Sequence, residues 1–288
     1  MADSQRPDVM SPPPANRLFL ACTPRTGNTW FRKMVAQATG GVDAAAHSPS
    51  EIAWESVETP CIVAMHCHRT PAFQSFLADA GFDVLTMVRH PLDVLVSILH
   101  FSKYEPATAR WLEGEGGDES PLRCADPTSA EFLDYALSRR AALLLNVSSE
   151  WYSSAREVVH YERLVADTAG TLDAILRRLG CSMHATADDV AIHNSLDRLR
   201  RFSKYHFWRG EPGLWRRVIP ASYQLSIYEG HRDLFELWGY PRPDESPLLA
   251  EEARETWSMI CAGDAPKSIQ AGGAVLPGIH SNEAERHS

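Results

Sequence analysis

Short apolar runs alternate with segments of helical pattern along the chain, from residue 17 to about residue 180. The runs predict buried strands over residues 17–22, 61–65, 82–88 and 158–161. The segments between them predict helices over residues 27–38, about 71–80, from Pro91 onward, and 171–179. Strands that alternate with helices predict an α/β fold, a three-layer sandwich with a central, mostly parallel sheet. Ligands of such sheets bind beyond the carboxyl ends of the strands.

The two ends and one internal segment lack this alternation. Residues 1–16 carry a Pro-Pro-Pro run and residues 263–288 are rich in Gly, Ala and Ser, so we expect both to be disordered tails. One domain would then occupy residues 17–262. Residues 103–127 are acidic and rich in Gly and Pro, which predicts a mobile loop inserted between helices. This loop could be a solvated surface segment or a lid over a site.

The composition limits the classes of function. The 288 residues carry a formal net charge of −9, which argues against a nucleic-acid binder but is compatible with a local basic pocket for a small phosphorylated ligand. The six cysteines form no CxxC pair and no zinc-binding spacing, as expected in a reducing compartment. No apolar stretch reaches the roughly 18–20 residues that span a membrane. We therefore expect a cytoplasmic protein.

The segment TPRTGNTW, residues 23–30, has the features of an anion-binding loop. It follows a predicted strand and opens a predicted helix, whose first N–H groups and positive dipole end attract anions. Gly27 lets the backbone approach a ligand closely, and Arg25 adds a positive charge. The loop lacks the Gly-Lys-Ser/Thr ending with which nucleotide triphosphatases hold phosphates and magnesium. An ordinary strand-to-helix turn with a surface arginine is the alternative.

A second pair of donors follows the strand predicted over residues 82–88. Arg89 lies at the end of that strand, and Ser97 lies eight residues later in the next helix, near the face that carries Asp93. Donors from a strand end and a helix flank suit a second phosphate. A plain helix start with an arginine before it would give the same pattern.

Three segments together resemble the sulfotransferases that use 3′-phosphoadenosine 5′-phosphosulfate (PAPS). TPRTGNTW resembles the family's 5′-phosphosulfate loop, often written YPKSGTTW. VRHPLDVLVSILHF, residues 88–101, resembles its 3′-phosphate motif, in which an Arg and a Ser lie eight residues apart. HFWRGEPGLWRR, residues 206–217, resembles the late RKGxxGxW segment. The resemblance implies a PAPS-dependent sulfotransferase whose fold contains a phosphate-binding loop and is P-loop-NTPase-like.

The resemblance also assigns roles to residues in each segment. The 5′-phosphosulfate would be held by the Arg25 side chain and by the backbone of Thr26, Gly27, Asn28 and Thr29. The 3′-phosphate would be held by Arg89, Ser97, Arg209 and the backbone of Gly210. The adenine would contact Trp30, Tyr161 and Leu196, unless these three side chains only pack in the core. The product would be adenosine 3′,5′-bisphosphate (PAP).

The segment CIVAMHCHRTP, residues 61–71, contains candidates for a general base. The family's element here is Lys-Thr-His, in which the His deprotonates the acceptor and the Lys contacts the sulfuryl group. Matching it to residues 66–68 makes His68 the base and His66 the replacement for the lysine. If the match is shifted by two residues, His66 becomes the base. The remaining alternative is that both histidines have only a structural role. In-line transfer needs such a base and donors for the leaving phosphate, a role for Arg25, but no metal.

The chain departs from the family pattern at three positions. Arg25 replaces the loop lysine, Asn28 replaces a loop threonine, and Trp208 stands where the first basic residue of Arg-Lys-Gly is expected. Two other functions therefore stay open, a catalytically inactive nucleotide-binding module and an ATP-dependent phosphotransferase. The second would need a magnesium-binding Ser or Thr directly after a loop Lys, which the sequence lacks.

The acceptor is expected to be a small molecule with a hydroxyl group. Four aromatic residues are candidates for its pocket: Phe101, Tyr104, Trp111 and Trp54. These side chains and the net negative charge favour an apolar or aromatic hydroxyl over an anionic polysaccharide. The family's short C-terminal dimer motif is not recognisable, so the chain could act alone or as a homodimer.

Overall fold

The computed structural model describes residues 16–244 and 248–262, in which five strands form one parallel sheet. The strands are β1 (Arg17–Ala21), β2 (Val42–Ala46), β3 (Cys61–Met65), β4 (Phe82–Val88) and β5 (Glu157–His160). Their order across the sheet is β2-β3-β1-β4-β5. The predicted α/β fold with a parallel sheet is confirmed. The predicted tails, apart from Asn16, lie outside the described residues.

Helices connect the strands and follow the last of them. Those that precede β5 are α1 (Asn28–Thr39), α2 (Pro71–Asp79), α3 (Pro91–Ser102), α4 (Ala130–Ala136) and α5 (Arg139–Tyr152). Those that follow it are α6 (Tyr161–Ala166), α7 (Thr168–Leu179), α8 (Ala187–His193), α9 (Leu196–Arg200), α10 (Trp215–Val218), α11 (Ala221–Gly230), α12 (Arg232–Trp238) and α13 (Ala250–Cys261). Within the described ranges, no helix combines the length and the apolar character that a bilayer crossing requires.

Alternate residues of β1 pack against opposite layers of helices. Leu18 and Leu20 lie in one apolar cluster with Phe31 of α1, whereas Phe19 lies in a second cluster with Trp151 of α5. All five side chains are excluded from water, because helices cover both faces of the sheet. The sheet is therefore the middle of three layers, and the loops that follow β1, β3 and β4 meet at one edge.

Most predicted boundaries agree with the structure to within one residue. Helix α7 begins three residues earlier than predicted, at Thr168, because the Asp167 side chain caps it by accepting a hydrogen bond from the Gly170 N–H. The edge strand β2 is missing from the predicted set. Its sequence, VDAAA, is rich in alanine, which is a poor strand former, and it pairs with β3 on one side only.

Residues 103–127, called the acidic segment below, are not the open loop that their composition predicts. Trp111 and Leu122 are buried, and Arg140 of α5 anchors the segment. The Arg140 guanidinium forms a buried salt bridge with Glu119 and donates hydrogen bonds to the carbonyl oxygens of residues 111, 112 and 115. The segment therefore packs against α5 through the buried Arg140.

Candidate functional site

The loop between β1 and α1 has a backbone conformation that restricts its sequence. Arg25 and Gly27 have φ angles of 68° and 98°, and a Cβ atom at Gly27 would lie 2.7 Å from the Tyr161 ring. The N–H of Thr23 donates to Ser148 Oγ of α5 at 2.8 Å, which fixes the start of the loop. Gly27 is the N-cap of α1 and provides no side-chain cap, so the first N–H groups of α1 are available to an anion.

A cleft that is open to solvent lies beside this loop. It brings together most of the residues that the sequence predicts for the site: Arg25, Gly27, Asn28, Thr29, Trp30, Arg89, Ser97, Tyr161, Leu196, Arg209 and Gly210. Thr26 does not line the cleft, because its side chain is buried under the loop and donates to the Thr23 carbonyl oxygen. His66 and His68 also lie outside the lining.

Two of the three arginines that line the cleft, Arg25 and Arg89, are held in its wall, and neither forms a salt bridge with a described residue. Arg89 is 7% exposed, its Nη1 donates to the Arg25 carbonyl oxygen, and its buried Nε has no hydrogen-bond partner in the described part of the chain. Arg25 donates from Nε to Ser97 Oγ at 3.1 Å. The pKa of Arg25 is lowered to about 9, first by burial and second by the charge of Arg89. Two such cations and an unused donor indicate an anion site.

Asp93 has a structural role in the wall of the cleft. Its carboxylate, on a residue that is 1% exposed, accepts hydrogen bonds from the N–H groups of Gly213, at 2.6 Å, and Trp215, at 3.1 Å. Burial raises the pKa of Asp93, and the charge of Arg89 opposes that shift. Asp93 therefore connects residues 213–215 to α3, and its carboxylate is already hydrogen-bonded to two backbone N–H groups.

The predicted adenine-contacting residues form one side of the cleft. Trp30 and Tyr161 make an edge-to-face pair with ring centroids 6.2 Å apart, and the Trp30 indole N–H donates to the Asn194 carbonyl oxygen. Leu196 lies against Gly210, where a Cβ atom would approach Leu196 Cδ1 to 2.5 Å. This side of the cleft is therefore largely apolar, which suits a flat ring.

His206 also lines the cleft, although its motif did not predict a role for it. Its ring Nε2 lies 2.9 Å from Thr29 Oγ1, and its carbonyl oxygen accepts from Arg25 Nη2. Burial lowers the pKa of His206 to about 3, and the charge of Arg25 acts in the same direction, so the ring is neutral at neutral pH. Trp208 lies parallel to the His100 ring, with centroids 3.8 Å apart, and adds no positive charge to the site.

His66 follows β3 directly and contacts the start of the loop between β1 and α1. Its Nδ1 lies 2.6 Å from the Cys22 carbonyl oxygen. Because a carbonyl oxygen only accepts, Nδ1 carries the proton and Nε2 keeps its lone pair. The pKa of His66 is lowered to about 4, chiefly by burial, while the bond to Cys22 opposes this and the charge of Arg25 adds to it.

His68 lies between two carboxylates. Its Nδ1 is 2.8 Å from Glu150 Oε1 of α5, and its Nε2 is 3.5 Å from Glu115 Oε2 of the acidic segment. The second oxygen of Glu150 accepts from the Arg69 N–H. Neither glutamate could be found from the sequence, because Glu150 is 82 residues from His68 and no spacing connects them.

The four aromatic residues predicted for an acceptor pocket lie in three places. Phe101 lies under the Arg25 guanidinium, 4.1 Å from its carbon, and stacks on Trp111, which is near His66. Tyr104 stacks on Tyr205 with centroids 4.1 Å apart. None of the four lines the cleft, and the Trp54 ring packs with Phe73, Phe76 and Phe82.

No family model matches the chain, and no curated protein matches it in sequence. Solved structures match it over most of its length. The mouse sulfotransferase SULT7A1 complexed with PAP is 16% identical, with 77% of this chain and 83% of that chain covered and a TM-score of 0.56. Retinol dehydratase in a complex with retinol and PAP is 13% identical, with 78% and 82% covered and a TM-score of 0.51.

A second structure of retinol dehydratase, in complex with androsterone and inactive cofactor PAP, gives 13% identity, 78% and 82% coverage and a TM-score of 0.50. Identities this low establish the fold alone. The three structures have PAP in common, and the first is a sulfotransferase by name. This chain therefore has the fold of the PAP-binding sulfotransferases, as the resemblance of its motifs predicted.

Proposed function

We propose that this chain is a sulfotransferase that uses PAPS as donor and the hydroxyl group of a small molecule as acceptor. The observation that carries the proposal is the convergence of Arg25, Arg89 and the uncapped start of α1 on one cleft. Cations without a carboxylate partner and free N–H groups suit a ligand that carries phosphate-type groups at two points. PAP in the structures of similar fold supports the same class of ligand.

In this proposal each side of the cleft binds one anionic group. Arg25 and the backbone from Gly27 to Thr29 hold the 5′-phosphosulfate, and bound PAPS supplies the sulfuryl group that is transferred. Arg25 also stabilises the negative charge that develops on the leaving phosphate. Arg89 and Ser97 hold the 3′-phosphate together with Arg209 and Gly210, and the unused Nε of Arg89 is a donor for it.

His68 is the proposed general base. This follows from matching the family's Lys-Thr-His to residues 66–68, in which His66 takes the place of the lysine. Glu150 accepts the Nδ1–H of His68, which leaves the lone pair on Nε2 and stabilises the imidazolium that forms when the acceptor loses its proton. His66 is a weak base at neutral pH, because burial and the charge of Arg25 lower its pKa to about 4. An acceptor hydroxyl at His68 Nε2 takes the place of the Glu115 carboxylate, 3.5 Å away.

An aromatic or apolar hydroxyl compound is the proposed acceptor. Phe101 and Trp111, both buried, stack on each other between the Arg25 guanidinium and the His66 ring, so the wall beside the proposed transfer site is apolar. Retinol dehydratase was solved with androsterone and with retinol, which supports an acceptor of this size and polarity. A screen of phenols and apolar alcohols is the direct search for it.

Calorimetric titration with PAP and with ATP, both in EDTA, tests the proposed function. We expect micromolar binding of PAP and much weaker binding of ATP, because the cleft has donors for a 3′-phosphate, which ATP lacks. Transfer from PAPS to an acceptor should then also persist in EDTA. A preference for ATP, or activity that EDTA abolishes, would disprove the proposal.

Replacing Arg89 with glutamine is expected to weaken PAP binding by about 10- to 100-fold, the usual range for losing a charge-assisted hydrogen bond. The buried Nε of Arg89 has no other described partner, so its loss removes a contact to the ligand and no salt bridge. The dissociation constant is measured by calorimetry. Arg123→Gln, which removes an equal charge at an exposed position, is the control and should leave it unchanged. An unaltered constant in Arg89→Gln would remove Arg89 from the site.

A further inference from the structure

Residues 206–215, called the strap below, close one side of the cleft, and side chains from three other elements hold its carbonyl oxygens. The first of these oxygens, on His206, accepts from Arg25 Nη2, and the last, on Gly210, accepts from the Tyr161 hydroxyl. All three carbonyl oxygens between them accept from Arg200, at the end of α9. Its Nε is 3.2 Å and 2.6 Å from the oxygens of residues 207 and 208, and its Nη2 is 2.6 Å from that of residue 209.

This arrangement determines the direction of the N–H groups of the strap. In a trans peptide the N–H points away from the carbonyl oxygen of the preceding residue. The N–H groups of Arg209 and Gly210 therefore point away from Arg200, and within the described residues neither donates a hydrogen bond. Both residues line the cleft, and Gly210 has a φ of 64°. Successive free N–H groups at a left-handed residue form a concave site for an anion.

The guanidinium of Arg200 does not itself reach the cleft. Arg200 is absent from the lining of the cleft, and its Nη1 pairs with Asp197 on its own helix at 3.2 Å. The strap carries Trp208 at the position where the family has a basic residue, and that ring packs on His100. The backbone N–H groups of the strap can therefore bind an anion only if a residue outside the cleft holds them in the right direction.

We propose that Arg200 is a positioning residue for the 3′-phosphate of the nucleotide. It pulls three consecutive carbonyl oxygens to the outer side of the strap and so turns the N–H groups of Arg209 and Gly210 toward the phosphate. The proposal rests on the function proposed above. It assigns to Arg200, through the backbone, part of the binding that a basic residue at position 208 would otherwise supply.

The test compares two ligands that differ only in the 3′-phosphate. Dissociation constants for PAP and for adenosine 5′-phosphate are measured by calorimetry with the full chain and with Arg200→Gln. We expect Arg200→Gln to bind PAP about tenfold more weakly, as for the loss of a hydrogen bond to a charged group. Binding of adenosine 5′-phosphate should hardly change. Using the ratio of the two constants makes the result independent of the fraction of variant that folds.

Two further variants show whether weaker PAP binding in Arg200→Gln comes from the lost orientation of the strap or only from the lost positive charge. Arg201→Gln removes the same charge from the next residue, which is exposed, and should leave the ratio unchanged. Arg200→Lys keeps a charged donor but not the planar guanidinium, which donates to several oxygens at once. It should give a ratio between those of the wild type and Arg200→Gln. Equal losses for both ligands in Arg200→Gln, or an unchanged ratio, would overturn the role of Arg200. A wild-type chain that does not prefer PAP to adenosine 5′-phosphate would instead overturn the proposed function.

Discussion

Replacing His68 with alanine is expected to lower kcat for sulfuryl transfer by about 10²–10⁴-fold, the usual contribution of a positioned general base. The Nδ1 of His68 is held by Glu150, so Nε2 is the atom that accepts the proton of the acceptor. PAP affinity should be nearly unchanged, because His68 does not line the nucleotide cleft. We would measure kcat and KM with the best acceptor from the hydroxyl screen, and the dissociation constant for PAP by calorimetry.

His66→Ala is the matched comparison, since it removes the same group two residues earlier. It should lower kcat by a smaller factor than His68→Ala, because the His66 ring has a pKa near 4 and its Nδ1–H is held by the Cys22 carbonyl oxygen. Glu150→Gln should lower kcat by a smaller factor than His68→Ala, because an amide still accepts the Nδ1–H but no longer stabilises an imidazolium. If His66→Ala abolishes turnover while His68→Ala retains it, the base is His66 and the register is shifted by two residues.

The cleft could be predicted largely from the sequence because its binding residues follow strands at fixed, short distances. Gly27 comes six residues after β1, and Arg89 is the first residue after β4. Carboxyl ends of parallel strands meet at one edge of the sheet, so local motifs at those ends converge even when the order of the strands is unknown. Ser97 joins them because it lies two helical turns into α3, and Arg25 donates to it.

Contacts that no motif and no regular spacing indicates could not be predicted in this way. Glu150 holds His68 across 82 residues, and Arg200 acts on carbonyl oxygens whose chemistry is the same in every residue. The acidic segment shows the same limit. Its Gly, Pro and Glu content is typical of an open loop, yet a single buried arginine 25 to 29 positions away holds three of its carbonyl oxygens.

Replacing that arginine with methionine, in Arg140→Met, is expected to lower the free energy of unfolding by about 3–5 kcal/mol. The Glu119 carboxylate, on a residue that is 1% exposed, would lose its cationic partner, and three carbonyl oxygens would lose a donor. Unfolding in urea, followed by far-ultraviolet circular dichroism, measures the change. Arg139→Met is the matched control, because Arg139 is exposed and should change stability by no more than about 0.5 kcal/mol.

A second substitution and a pH series identify the unpaired charge as the cause of that loss. Burial raises the pKa of Glu119 in the folded chain, and removing Arg140 takes away the main effect that opposes the shift. The native state of Arg140→Met then holds a proton on Glu119 more tightly than the unfolded state does. The loss in free energy of unfolding, relative to the wild type, should be largest at neutral pH. It should shrink as the pH falls toward the ordinary glutamate pKa of about 4.3. Arg140→Met/Glu119→Gln should regain stability at neutral pH, and a double variant no more stable than Arg140→Met would contradict this account.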